Sequence, residues 1–130
     1  MVKCDDITEP FILWNTLTRF KSSKIYTSIG DILLVVNPFK NIPGMYSEER
    51  LMEVVMVVET GNTTLEPHIF NMANLALRSL TYDNITQAII ISGESGAGKT
   101  EQTKKCLQVR VLHEQLPSLG LASLVAVAFS

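Results

Sequence analysis

Shortages define this sequence before any motif does. Only two cysteines occur in 130 residues. Cys4 and Cys106 are too few for a disulfide framework and lie without metal-ligand spacing. Excess charge of either sign is also missing. Thirteen acidic side chains stand against eleven basic ones, a formal net of −2, which excludes a global pull toward nucleic acid or an anionic membrane surface. No apolar run approaches the ~20 residues of a membrane-crossing helix, and the chain start has no basic segment followed by a signal-type apolar run. These absences together predict a reduced, cytoplasmic setting. Histidine is scarce as well, at two residues. His68 follows Pro67 at an expected helix start and His113 falls in what reads as an irregular tail, so both are expected to be structural or solvated. With 46% hydrophobic and 18% charged residues and no internal repeat, the composition is that of a soluble globular protein with one core.

What is present reads as alternating helices and strands. Phe11, Leu13, Trp14, Leu17 and Phe20 recur at near-helical spacing, predicting a helix from Pro10 to Phe20 with one face in the core. Residues 25–37 turn extended: IYTSI, a Gly30-Asp31 turn signal, then ILLVV, which suits a strand buried on both faces. Asn37-Pro38 ends that strand because proline brings no ladder donor, and Pro43-Gly44 breaks the following loop again. Ser47 before Glu48 and Glu49 marks a helix start, a hydroxyl cap with acids at the positive dipole end. Leu51 to Val58 is apolar nearly all round, which leaves open whether the helix ends as a strand before Gly61-Asn62 stops it. Pro67 is placed in the first turn of the next helix, over 67–81. Its Ile69, Met72, Ala73, Ala76, Leu77 and Leu80 stripe is read as packing against a sheet. A buried strand over 87–92 and a helix from about 99 complete the order.

Between that strand and that helix lies the segment that carries chemistry. Gly93, Glu94, Ser95, Gly96, Ala97, Gly98, Lys99 and Thr100 read GESGAGKT, a complete match to GxxxxGK[ST]. Glycines at these positions allow backbone conformations closed to residues with a Cβ, so successive N–H groups can face phosphate oxygens. A lysine at position 99 can reach the β- and γ-phosphates, and the Thr100 hydroxyl is placed to ligate the bridging Mg²⁺. A helix N-terminus adds its dipole. Strand, loop and helix in this order predict an α/β fold, part of a P-loop NTPase core with an incomplete central sheet and flanking helices.

GESGAGKTE resembles the phosphate loop of myosin motors more closely than it resembles phosphate loops in general, and Gln102, Thr103, Lys104 and Lys105 look like that family's continuing helix. Asp5-Asp6-Ile7-Thr8 resembles the opening of the motor proper, Ile25-Tyr26-Thr27 its early strand, NPFKNIP its purine-side loop and Pro67-His68-Ile69-Phe70 a further family segment. These segments follow one another in the family's order. The resemblance implies an actin-based motor coupling ATP hydrolysis to movement, associated with the cytoskeleton, with ATP and Mg²⁺ held at Gly93 to Thr100. It also implies adenine-side contacts from Asn37, Pro38, Phe39, Lys40 and Tyr46, although Gly44-Met45 lengthens the loop by one residue. For that loop a second reading stays open: a proline-shaped strand exit in which Phe39 and Tyr46 only pack. Val54 to Leu65 departs from the more basic, tighter connection usual in the family.

Hydrolysis needs an acid near Mg²⁺ and groups that position the attacking water. After Glu101 the only acidic residue is Glu114, and no downstream strand ends in aspartate. The family's switch segments and actin-binding loops are likewise expected beyond this stretch. The resemblance fades near Gln108, so residues 1–108 are expected to be the N-terminal part of a motor domain and 109–130 a divergent apolar tail. The expected product is an ATP-binding piece of a motor, cut short and unable to turn ATP over or move on actin alone. Strands such as ILLVV and AIIIS would then miss their sheet neighbours, and cooperative unfolding in urea is not expected. Another P-loop enzyme and a non-catalytic interaction protein are the alternatives.

Overall fold

The computed structural model describes residues 7–59, 66–115 and 126–129. Helix α1 (Glu9–Lys21) leads into an antiparallel hairpin of β1 (Tyr26–Ile29) and β2 (Ile32–Val35). Helices α2 (Glu48–Glu59) and α3 (Ile69–Tyr82) follow, then β3 (Ala88–Ile91), α4 (Lys99–Gln115) and β4 (Ala126–Phe129). The hairpin pairs Tyr26 with Val35 and Ile29 with Ile32 across a two-residue turn, which Gly30 closes at φ +56°. β3 pairs in parallel with β4, Ala88 opposite Ala126 and Ile91 opposite Phe129. The described residues are thus α/β, with two separate two-stranded sheets among them.

Helix α3 is the centre of the core, because its apolar stripe is continuous. Ile69, Phe70, Ala73 and Leu77 are buried along one side and meet Val54 and Val55 of α2, Cys106 and Val109 of α4, Ile89 of β3, and Ile25 and Tyr26 of the hairpin. Phe70 and Val109 are completely inaccessible. Among the polar groups of this core, Asn74 is fully hydrogen-bonded. The buried Asn74 amide donates to the Val54 carbonyl at 3.0 Å, and its Oδ1 meets His113 Nε2. One residue therefore stitches α2, α3 and α4 together.

Several expectations are corrected here. α1 forms where the spacing places it, but Leu13, Trp14 and Leu17 are 68%, 64% and 48% exposed and none of its residues is fully buried. Phe20 at its end packs against the core beside β1, while the middle of its apolar face stays exposed. The ILLVV strand is not buried on both faces, since a two-stranded hairpin offers a single neighbour, and Ile32 is 63% exposed. Pro67 stands outside α3 rather than in its first turn, because His68 caps the helix: its extended backbone (φ −162°) lets Nδ1 accept from the Phe70 N–H at 3.0 Å. His113 belongs to α4 and is buried rather than sitting in an irregular tail. α4 crosses position 108 without a break, held by the Cys106, Val109, His113 spacing on its buried side and by Arg110–Glu114 on its exposed one.

The open question at α2 resolves as helix through Glu59, started by Ser47, whose hydroxyl accepts from the Arg50 N–H at 3.2 Å. Cys4, Asp5-Asp6 and the Gly61-Asn62 stop lie outside the described residues. Strand β4 comes from the stretch read as a divergent apolar tail. Among the described residues no helix is long and apolar enough to cross a membrane.

Candidate functional site

The chain leaves β3 at Ile91 and enters α4 at Lys99, and the turn between them is shaped by its glycines. Gly96 and Gly98 hold φ of +81° and +101°, where a side chain would be strained, and a Cβ on Gly93 would come within 3.2 Å of the Ala97 Cβ. Ala97 N–H closes a turn onto the Glu94 carbonyl at 3.1 Å. The first helical bond of α4 runs from Gln102 N–H to the Gly98 carbonyl at 3.1 Å. The N–H groups of Lys99, Thr100 and Glu101 are thereby left without partners inside the helix, at its positive end. Lys99 Nζ reaches back to the carbonyl of Gly93, so its ammonium stands at the first residue of the same loop. Glu94, Ser95 and Thr100 are exposed.

This donor set suits a polyanion. It offers backbone N–H groups, one ammonium and the Thr100 hydroxyl, in a loop whose conformation at Gly96 and Gly98 a Cβ would strain. It does not suit a free metal ion, for among the described residues no three His, Cys, Asp or Glu side chains come together. A divalent cation carried by the polyanion would find Thr100 as its oxygen ligand.

The residues expected on the purine side divide. Asn37 is brought to the loop: its Nδ2 donates to the Gly96 carbonyl at 2.9 Å while its Oδ1 accepts from the Phe39 N–H at 2.9 Å. One side chain fixes both the turn after the strand and its distance from the phosphate loop. Phe39 is 85% exposed at φ +51°, so it does not pack. Pro38 is half-buried and Lys40 exposed. Tyr46 does pack, edge-on to His68 and Phe70 with ring centroids 5.6 and 5.9 Å away. The longer loop is absorbed by Gly44 at φ +74° and by His68 Nε2, which donates to the Met45 carbonyl at 2.9 Å. Tyr46 consequently still reaches α4.

There it meets residues that the sequence reading left without a role. The Tyr46 and Tyr26 hydroxyls lie 2.6 Å apart, Tyr26 donates to Gln102 Oε1 at 2.8 Å, and Gln102 Nε2 donates to the Tyr46 hydroxyl at 3.3 Å. Lys105 Nζ sits 4.6 Å from the Tyr46 ring centroid. The available signal was helical: Gln102 and Lys105 stand three apart directly after the phosphate loop, on one face of the helix that follows it. Burial, followed by the bond to Tyr46, raises the Tyr26 hydroxyl far above the usual range, so it stays protonated. Burial and the nearby Arg50 lower His68 to about 4, so its Nε2–H tautomer is neutral. Burial also pushes the Cys106 thiol up to about 11.

Residues 1–116 match the family described as the myosin head (motor domain). The chain is 45% identical over 107 residues to the high molecular weight form of myosin-1 of Acanthamoeba castellanii, covering 82% of this chain and 6% of that protein. It is 46% identical over 110 residues to the myosin IC heavy chain of Dictyostelium discoideum, covering 83% and 9%. Myosin-7 of Arabidopsis thaliana is 42% identical over 108 residues, covering 83% and 6%. The chain thus spans less than a tenth of the curated relatives it matches.

Proposed function

Because this chain belongs to the myosin head (motor domain) family, we propose that it is the ATP-binding part of an actin-based, cytoskeleton-associated motor. Gly93 to Gly98 cradle the phosphates with backbone N–H groups, Lys99 neutralises the β- and γ-phosphates, and Thr100 supplies a hydroxyl to Mg²⁺. Bound Mg²⁺ would supply charge neutralisation between those phosphates. Asn37 sets the spacing between phosphate and base, and Tyr46 faces the base side; Pro38, Phe39 and Lys40 form the exposed wall of the loop. The observation that carries this reading is the pair of ties at the loop, Lys99 Nζ on the Gly93 carbonyl and Asn37 Nδ2 on the Gly96 carbonyl. Both are contacts that an incoming phosphate can exchange or exploit without rebuilding the backbone.

On this reading the 130 residues alone bind ATP at best weakly and do not turn it over, since Glu101 and Glu114 are the only acids among them after the phosphate loop. Glu101 is instead paired with Lys104 at 2.7 Å on the exposed side of α4.

Calorimetry with Mg·ATP is the test. Lys99→Ala is expected to weaken binding by more than about tenfold, in line with removal of a charge-assisted contact, and phosphate release is expected to stay at background. Unchanged affinity in Lys99→Ala would overturn the site, and robust turnover by the unmodified chain would overturn the binding-only reading.

A further inference from the structure

A cleft of about 230 Å³ opens between the end of α1, the start of α2 and the loop carrying Ile42 to Met45, and none of its walls belongs to the phosphate loop. Positive side chains line it from three separate places in the chain: Arg19 in the last turn of α1, Lys24 just before β1 and Arg50 in the first turn of α2. Glu66 is the one carboxylate among the residues that line it, so three positive charges meet one negative. The Lys24 ammonium is bonded to Glu66 Oε1 at 2.7 Å, with the two side chains 47% and 58% exposed. A pair so exposed holds weakly and exchanges readily. Arg19 Nε donates to the Tyr26 carbonyl at 2.8 Å, which fixes the plane of its guanidinium and leaves the Nη donors to other acceptors.

Arg50 stands where local rules would not put it. Ser47 caps α2 by accepting from the Arg50 N–H, which makes position 50 the place in a capping box that favours Glu or Gln, at the positive end of the helix dipole. A cation there opposes the helix that carries it, so its reason is tertiary. The hydrogen bond from Lys24, followed by the charges of Lys24, Arg19 and Arg50, holds the Glu66 carboxyl below its usual range against the opposing effect of burial. All three cations thus act on one point of the cleft.

We propose that this cleft is an anion site of its own and takes a phosphate dianion between Arg19, Lys24 and Arg50, with Glu66 as the group that the ligand displaces from Lys24. Its volume lies below the roughly 300–1,000 Å³ of pockets for drug-sized molecules, which suits a small ion with its waters. Two planar guanidinium forks and one ammonium match a tetrahedral oxyanion, and a dianion answers the excess of positive charge. His68 adds no charge to the site. Its Nε2 proton is committed to the Met45 carbonyl at 2.9 Å, and burial keeps the ring neutral. Free phosphate and the phosphate group of a small monoester share this chemistry.

The experiment titrates inorganic phosphate and glycerol 3-phosphate by calorimetry, at constant ionic strength, into the full 130-residue chain carrying Lys99→Ala, which removes the ammonium of the phosphate loop. Binding is expected to remain in this background. Arg50→Gln added to it should weaken binding by about tenfold or more, the loss of one charge-assisted contact. Glu66→Gln should strengthen binding by roughly two- to fivefold, because the competing carboxylate is gone. A damaged fold cannot produce that gain. Whichever ligand binds more tightly identifies the source as the free ion or a monoester, and either result upholds the dianion site. Absence of binding in the Lys99→Ala chain, unchanged affinity in Arg50→Gln, or unchanged or weakened affinity in Glu66→Gln overturns the proposal. So does a heat of binding that sodium chloride reproduces at the same ionic strength, since the cleft would then only screen charge.

Discussion

The two ends of the hairpin sheet are built on opposite terms. On the side facing α4, five residues from four elements or loops are tied within hydrogen-bond distance: Asn37 to Gly96, and Tyr26, Tyr46 and Gln102 to one another. On the side facing β3, a groove of about 680 Å³ separates the hairpin from the second sheet, with Ile32 and Leu33 on one wall and Ile89 and Ile90 on the other. Ile32 is 63% exposed and Ile90 70%. The first side is complete with the residues present, because each polar group finds its partner a loop away. The second carries exposed apolar side chains with no strand between the two sheets among the described residues, a surface that a sheet protein normally covers. The candidate site therefore stands on the more tightly tied half of the molecule.

Mutations should separate these halves. The largest effect is expected from Phe70→Ala, which empties the point where α3 meets Tyr46 and His68. A loss of about 3–5 kcal/mol is expected for a buried phenylalanine, measured as a fall of a hundredfold or more in the hydrogen-exchange protection of α3 and α4 amides. Protection that survived intact would mean the closed side does not depend on this core.

The next effect is one of pH. His68 is neutral in the fold at a value lowered to about 4, against 6.5 for the free side chain. Below 6.5 the unfolded chain therefore binds a proton that the folded chain refuses. Stability is full above 6.5 and is lost progressively as the pH falls toward 4, by roughly 2–3 kcal/mol at most for a shift of this size. The same amide protection, followed from pH 7 to pH 4, should decline over that window. His68→Asn should flatten the decline, because asparagine can still cap α3 through a side-chain oxygen but does not titrate.

The smallest effect belongs to the open side. Ile90→Lys should leave α3 and α4 protection within about threefold, as expected for an exposed position, while raising the concentration at which the chain stays in solution. Solubility is read by light scattering. A large loss of protection would show that the groove is more closely packed than its exposure indicates.

Much of the closed side was legible in the residues themselves. GESGAGKT required a strand before it and a helix after it, and β3 and α4 flank it within a residue of the expected limits. The hairpin was legible from Gly30-Asp31 between two apolar runs. Asn37 was legible only as a member of a family segment, and its bond to Gly96 crosses to a distant loop. Tyr26, Gln102 and His68 were not legible as site residues, since a tyrosine in a strand, a glutamine on a helix and a histidine after proline have no local pattern that announces a network. The expected burial of α1 and of ILLVV failed for one shared reason. An apolar stripe states that a face seeks cover, and does not state whether the cover is present.

Local backbone chemistry was thus determined by the sequence: where glycines permit φ values of +81° and +101°, where a lysine and a threonine begin a helix, where Ser47 starts another. These depend on interactions within a few positions, so pattern and residue type suffice. Tertiary structure alone decided which of these pieces touch. The Tyr26–Tyr46–Gln102 ring spans up to 76 positions, and the neutral state of His68 arises from burial by the hairpin and the loop packed against it. Such contacts form only when the core around Phe70 has brought the elements together, because each proton is then shared among groups that no local rule places side by side.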